Sequence, residues 1–282
     1  MRTEQARRAG WLTIALAAAA PLWAQLPLEP FHDSGQNVTA AYEGWFQNAD
    51  GTFSILFGYY NRNQKQDLDI PIGPNNRIDP GGPDRGQPTH FLPGRQWGLF
   101  TITVAKDFGK NKLTWTLIVN GQTTAIPASL DPLWELAPFK DATDNTPPVV
   151  SFEGNSVQGP RPITASLTTT VANPLALKVA VSDDARVVPG MQKPKTPPVT
   201  LVWSKFRGPG SVAFDNARPP VEKADDSAAG EDGAFRGKAT TIATFSEPGE
   251  YMLYLAANDW SGPGGRGFQC CWTNALVKVS VK

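Results

Sequence analysis

ATFSEPGEYMLYLAANDW, residues 243–260, decides the fold class of this 282-residue chain. Glu247-Pro248-Gly249 is a turn, because proline presets its own φ and glycine tolerates positive φ. Beyond it, Tyr251, Leu253 and Leu255 fall on one face at period two, the pattern of a strand with a buried face. Before it, ATTIATF at 239–245 is a second strand. Working outward, Leu175, Leu177, Val179 and Val181 alternate in another, VTLVWS at 199–204 carries Trp203, and Ala275–Val281 closes the set. Six or more short strands within roughly 130 residues fit an immunoglobulin-like topology.

The run TLVWSKFRGPGSVAF at 200–214, followed by residues 243–260, resembles the PKD-type immunoglobulin-like domains. In that family a Trp-bearing strand precedes a Pro-Gly-x-Tyr turn into a strand of alternating apolar residues. The resemblance covers the second half of the chain. The Trp-Asp-Phe-Gly-Asp-Gly run typical of many members is missing, which marks a divergent subgroup. It implies an extracellular spacer or protein-contact domain, and no catalytic one.

The first half shows the same grammar. TFSILFGYY at 52–60 places Phe53, Ile55, Phe57 and Tyr59 on one face and Ser54, Leu56, Gly58 and Tyr60 on the other. WGLFTITV at 97–104 and LTWTLIV at 113–119 are strands, and Asn120-Gly121 turns the second of these into Gln122–Ile126. Residues 71–96, PIGPNNRIDPGGPDRGQPTHFLPGRQ, are too rich in Pro and Gly to pair as strand or wind as helix. A loop of that length is functional or mobile, or else an ordered arm on the sheet. KDATDNTPP at 140–148 reads as a linker between domains at 26–139 and 149–282. The expected fold is therefore all-β, two β-sandwich domains in tandem, with the second immunoglobulin/PKD-like.

Met1, Arg2, Arg7 and Arg8 precede the apolar run GWLTIALAAAAPLW at 10–23, the outline of a signal peptide at residues 1–24. The run is shorter than the ~20 residues that span a bilayer as a helix. Export to the periplasm, cell envelope or medium follows as an expectation, with no membrane span in the mature chain. Beyond that segment 23 basic residues face 25 acidic ones, a balance that gives a nucleic-acid partner no support.

Chemistry-bearing motifs are sparse. His32 and His90 are the only histidines, too few for the usual zinc hydrolase. Neither a Gly-x-Ser-x-Gly elbow nor a phosphate loop occurs. Glu43, Asp67, Asp69, Asp79 and Asp84 leave a glycosidase pair open, but solvated turn and edge-strand positions are the better account of them. The expectation is an exported binding or scaffolding protein with no catalytic residues. It would meet a protein partner, or as the alternative a glycan in a polysaccharide-handling system, at the envelope. Trp45, Tyr60, Asn61, Arg62 and Asn63 form the candidate aromatic and polar edge, and Arg77, Arg85 and His90 the candidate loop contacts.

No cofactor is required. Asp141-Ala-Thr-Asp144-Asn145-Thr-Pro147 resembles the Asp-x-Asn-Asp-Asn-x-Pro linker of cadherins, with Thr143 where that family has Asn. The resemblance implies calcium on Asp141, Asp144 and Asn145, joined by Asp183, Asp184 and Asp259 at strand ends. Cys270 and Cys271 are open between a vicinal disulfide, two thiols and links to another chain.

Overall fold

The structure, a computed structural model, describes residues 32–282 apart from 153, 162–163, 188–189, 191, 225–233 and 264–269. The expected signal peptide lies outside the described residues. From His32 to Lys282 the chain forms one compact unit. Its named elements are strands, with a single turn of 3-10 helix at Pro132–Trp134.

Eight strands make the first half: β1 (Val38–Gln47), β2 (Phe53–Asn61), β3 (Leu68–Asp69), β4 (Asn76–Asp79), β5 (His90–Phe91), β6 (Gly94–Val104), β7 (Leu113–Val119) and β8 (Gln122–Ala128). They form antiparallel sheets in the orders β1-β2-β6 and β4-β7-β8, with β3 pairing β5. The two three-stranded sheets share a core around Trp115, whose ring meets Phe57 and Phe100 edge-on at 6.0 and 5.2 Å. Such T-shaped contacts add roughly 0.5–1.5 kcal/mol each beyond area burial.

Residues 71–96 depart from their expectation, because β4 and β5 lie within them and both are paired. Asn76 makes this possible. It is fully buried, its amide donates to the Ile70 and Pro88 carbonyls at 3.0 and 2.8 Å, and its oxygen accepts Trp115 Nε1–H at 3.0 Å. One side chain thus satisfies backbone groups that proline neighbours leave without partners. Ile78, also fully buried, anchors β4 over Trp115 in register.

The second half runs β9 (Val149–Phe152), β10 (Asn155–Gln158), β11 (Thr164–Thr169), β12 (Leu175–Asp183), β13 (Thr200–Arg207), β14 (Val212–Phe214), β15 (Glu222–Lys223), β16 (Phe235–Phe245), β17 (Gly249–Asn258) and β18 (Trp272–Val281). One sheet has the order β10-β9-β12-β16-β14, with β15 also on β16, and the other β11-β18-β17-β13. Among the described strand pairs of this half, only β11 and β18 are parallel. This is the strand division of an immunoglobulin-like sandwich. Two local marks agree with it. Trp203 is buried on the third main strand, and Tyr251, at the start of β17, donates its hydroxyl to Glu247 O at 2.8 Å across the preceding corner.

The linker reading accounts for composition but not for packing. Asn145, Pro147 and Pro148 are buried, and the two halves also meet directly. Tyr254 of β17 and Phe206 of β13 belong to the same apolar cluster as Phe100 and Trp115, with Met252, Ala256 and Leu276 packed against it. These are the residues that strand alternation turns away from the second half's own core of Leu253, Leu255 and Val277. Each large side chain so buried contributes roughly 1.5–3 kcal/mol.

The tightest point of this interface is Gly98. Its N–H donates to Glu43 Oε2 at 2.6 Å, and its carbonyl accepts Trp272 Nε1–H at 3.2 Å and the Asn274 amide. Its φ is +53°, and a Cβ there would collide with the Trp272 ring. Replacing Gly98 by Ala is expected to destabilise the protein by roughly 2–4 kcal/mol, the sum of left-handed strain and overpacking. Urea denaturation of Gly98→Ala against wild type checks this. Gly121→Ala, whose Cβ would meet open space at φ +75°, is the control and should lose only the strain part.

Candidate functional site

Three places concentrate the residues singled out from the sequence. The first is a surface patch where β2 pairs with the outer strand β6. Tyr60 is 41 % exposed and lies opposite Arg95 in register, and the Arg95 guanidinium stacks 3.8 Å from the ring centroid of Trp97, itself 37 % exposed. Arg95 is held from behind by Glu43 Oε1 at 2.6 Å and by the carbonyls of Tyr59 and Gln96. Burial pushes the Glu43 carboxyl above its usual value, against the pull of Arg95. The cation and the Trp97 ring are thus presented in a fixed arrangement, with Tyr60 exposed on the neighbouring strand.

The other residues expected at this patch are elsewhere. Trp45 is a core residue that donates Nε1–H to Asp131 O at 2.8 Å and packs edge-on against Phe53. Asn61 and Asn63 are buried, correcting the expectation of an exposed polar run. Asn61 donates to the Gln66 and Phe91 carbonyls, and Asn63 exchanges hydrogen bonds with the Gln36 backbone. The strand alternates only to Tyr60, after which the chain turns and its amides are consumed by neighbouring loops. Arg62 alone of that run remains exposed. Trp97 and Arg95 were the missed partners, and the signal was a Trp on an edge strand two residues from an Arg.

The second place is a groove of about 700 Å³ where residues of both halves meet. His90 stands at its base, 9 % exposed, with Nδ1 3.0 Å from Asp69 Oδ1 and Nε2 3.4 Å from Asp67 Oδ2. Lys205 Nζ lies 3.1 Å from the same Asp69 oxygen and donates to Gly210 O at 3.0 Å. Trp203 and the half-buried Phe214, ring centroids 6.4 Å apart and near-parallel, make the apolar wall. A buried lysine needs a paired charge, and here Asp69 supplies it. Lys205 follows Leu201 and Trp203 at period two, and a lysine on a core-facing strand position was the legible signal for this site.

Arg77 and Arg85, expected as loop contacts, instead secure their own loop. Arg77 bonds Asp79 and Pro74 O, and Arg85 bonds Pro80 O. A different arginine ties the loop to the second half: Arg207 meets Asp84 with two bonds at 2.8 and 3.0 Å and also donates to Gln87 O.

The third place is the acidic pole. Asn145, Asp183, Asp184 and Asp259 do come together there: the Asn145 amide donates to Asp259 Oδ2 at 2.6 Å, and Asp184 Oδ2 accepts from the N–H and hydroxyl of Thr146. Asp141 and Asp144 serve the turn instead. Asp141 caps Thr143 and Asn145, and Asp144 pairs with Lys140 and Arg186. A calcium cage needs six to eight oxygens around one point. Among the described residues no three His, Cys, Asp or Glu side chains converge in that way. An amide donor faces Asp259, and backbone donors engage Asp183 and Asp184. Two buried oxygens of the pole, Asn145 Oδ1 and Asp183 Oδ2, have no hydrogen-bond partner among the described residues and are of the hard type that calcium takes. Cys270 and Cys271 form a vicinal disulfide, both buried, with their sulfurs against the Asn145 carbonyl.

No family model matches the chain, and no curated protein matches it. Among solved structures it is similar to the D00-D0 domain of intimin, at 13% identity over 86% of this chain and 99% of that one, with a TM-score of 0.26. It is also similar to a protein of unknown function from Porphyromonas gingivalis, at 8% identity over 86% and 99%, TM-score 0.23. Zebrafish RET cadherin-like domains 1 to 4 match at 10% identity over 80% and 48%, TM-score 0.27. At these scores the fold rests on the strand order described above.

The pole generates a pH dependence. Burial, with the neighbouring Asp259 and Asp184 charges adding to it, pushes the Asp183 carboxyl up to about 7. Asp259 is raised too, chiefly by burial. Between an unfolded value near 4 and about 7 the folded state retains a proton that the unfolded chain releases, so stability falls as pH rises through that window. Carboxylates held low, such as Asp84 by Arg207, act in the opposite sense only at more acid pH. Thermal melts should therefore give a lower Tm at pH 8 than at pH 5, and Asp183→Asn should shrink that difference.

Proposed function

We propose that this chain is an exported, non-enzymatic binding or scaffolding protein that meets a protein partner at the cell envelope. The contact surface would be the β2–β6 patch, with the second half serving as a buttress that fixes its orientation. One observation carries the reading: Arg95, braced by Glu43, stacks on the exposed Trp97 with the exposed Tyr60 opposite it in register. Tyr, Trp and Arg are the residue types that dominate interface hot spots, and holding them in place before binding lowers the ordering cost. The opening basic and apolar segment supports export.

Crosslinked pull-down from the native envelope, read by mass spectrometry, tests the proposal. Wild type should enrich a defined protein, and Tyr60→Ala or Trp97→Ala should reduce that enrichment by about tenfold or more, the size of a hot-spot loss. Equal capture by wild type and both variants would assign the contact to another surface.

A further inference from the structure

We infer that the groove between the two halves is a binding site for a short, hydroxyl-rich oligosaccharide. Its acidic wall presents the carboxylates of Asp67 and Asp69, whose side chains are 60 % and 58 % exposed. Behind them stand His90 and Lys205, each about nine-tenths buried: His90 Nδ1 and Lys205 Nζ hold Asp69 Oδ1, and His90 Nε2 lies 3.4 Å from Asp67 Oδ2. Asp69 Oδ2 and both Asp67 oxygens make no hydrogen bond with the described residues, so each residue, both lining the groove, keeps a free acceptor. Acceptors on either side of the His90 ring suit well-separated hydroxyls along an oligosaccharide.

The opposite wall is apolar where a sugar would need it. Phe214 is half-buried over Trp203, and Val202 and Val212 continue the surface. A pyranose has a C–H face that packs on such a wall while its hydroxyl edge meets the carboxylates. The volume of about 700 Å³ lies in the ordinary range for small-molecule sites.

Charge and backbone geometry argue against other occupants. Arg218 and Lys205 are balanced by Asp67, Asp69 and Glu247 around the groove, so a phosphate or polyanion finds no net attraction. A peptide adding as a strand would need a free edge on β13. That edge is closed near one end by Trp203 N–H donating to Ala217 O and at the other by Phe206 O accepting from Thr89 N–H. The span left between them is too short for a ladder.

The test uses the mature chain with four probes, cellotriose, xylotriose, maltotriose and chitotriose, in saturation-transfer NMR followed by calorimetric titration. At least one should bind with a Kd of about 0.1–1 mM. Asp67→Asn and Phe214→Ala should each weaken it about tenfold, and Trp97→Ala should leave it unchanged, which separates this site from the β2–β6 patch. Asp67 is exposed, so Asp67→Asn keeps the test informative if Phe214→Ala fails to fold. No binding by any probe at about 10 mM, binding that ignores both groove variants, or cleavage of the probe would overturn the inference.

Discussion

The absence of a side chain at Gly98 is the constraint on which the rest of the molecule depends. Both of its backbone polar groups are committed, one to Glu43 within the first half and the other to Trp272 and Asn274 of the second. Because the Trp272 ring lies where a Cβ would be, the halves approach closely enough for Phe206 and Tyr254 to enter the first half's core. The same glycine, through Glu43, sets Arg95 and hence Trp97. Interface packing and the presentation of the aromatic edge are therefore one arrangement.

That coupling alters what a spacer means here. A sandwich tethered by a flexible linker would leave its neighbour free to reorient, as relative domain motion is the default where interfaces are small. In this chain the hydrogen bonds from Arg207 to Gln87 and Asp84 add a second polar seam beside the apolar one. The groove is lined from both sides of that seam, Asp67, Asp69 and His90 coming from one half and Trp203, Lys205 and Phe214 from the other.

Legibility differed by the range of the interaction. Strand alternation at Tyr251–Leu255 and at Phe53–Tyr59 depends on neighbours in sequence, and both segments are strands with the expected core faces. The turn at Asn120-Gly121 is likewise local, and both residues have positive φ. Local rules failed where a single distant partner decided the outcome. Residues 71–96 read as unpaired because proline and glycine dominate them, yet Asn76 and Trp115, 39 positions apart, hold them in pairs. Asn61 and Asn63 read as exposed because they are polar, yet they are satisfied by carbonyls of other loops. At the acidic pole, composition brought the right four residues together but said nothing of where each oxygen points, and a cation site is a matter of direction.

Sequence alone determined the all-β class, the immunoglobulin-like strand grammar of the second half and the presence of only two histidines, because period-two alternation, turn chemistry and residue inventory are local properties. Tertiary structure alone decided that the halves are joined through Gly98 and Trp272, that Lys205 and His90 share Asp69 across the seam, and that Tyr60 and Trp97 remain at the surface while Trp45 does not. The physical reason is that exposure and charge pairing are set by residues far away along the chain, and a strand's own pattern states which side chains share a face but not what comes to cover that face.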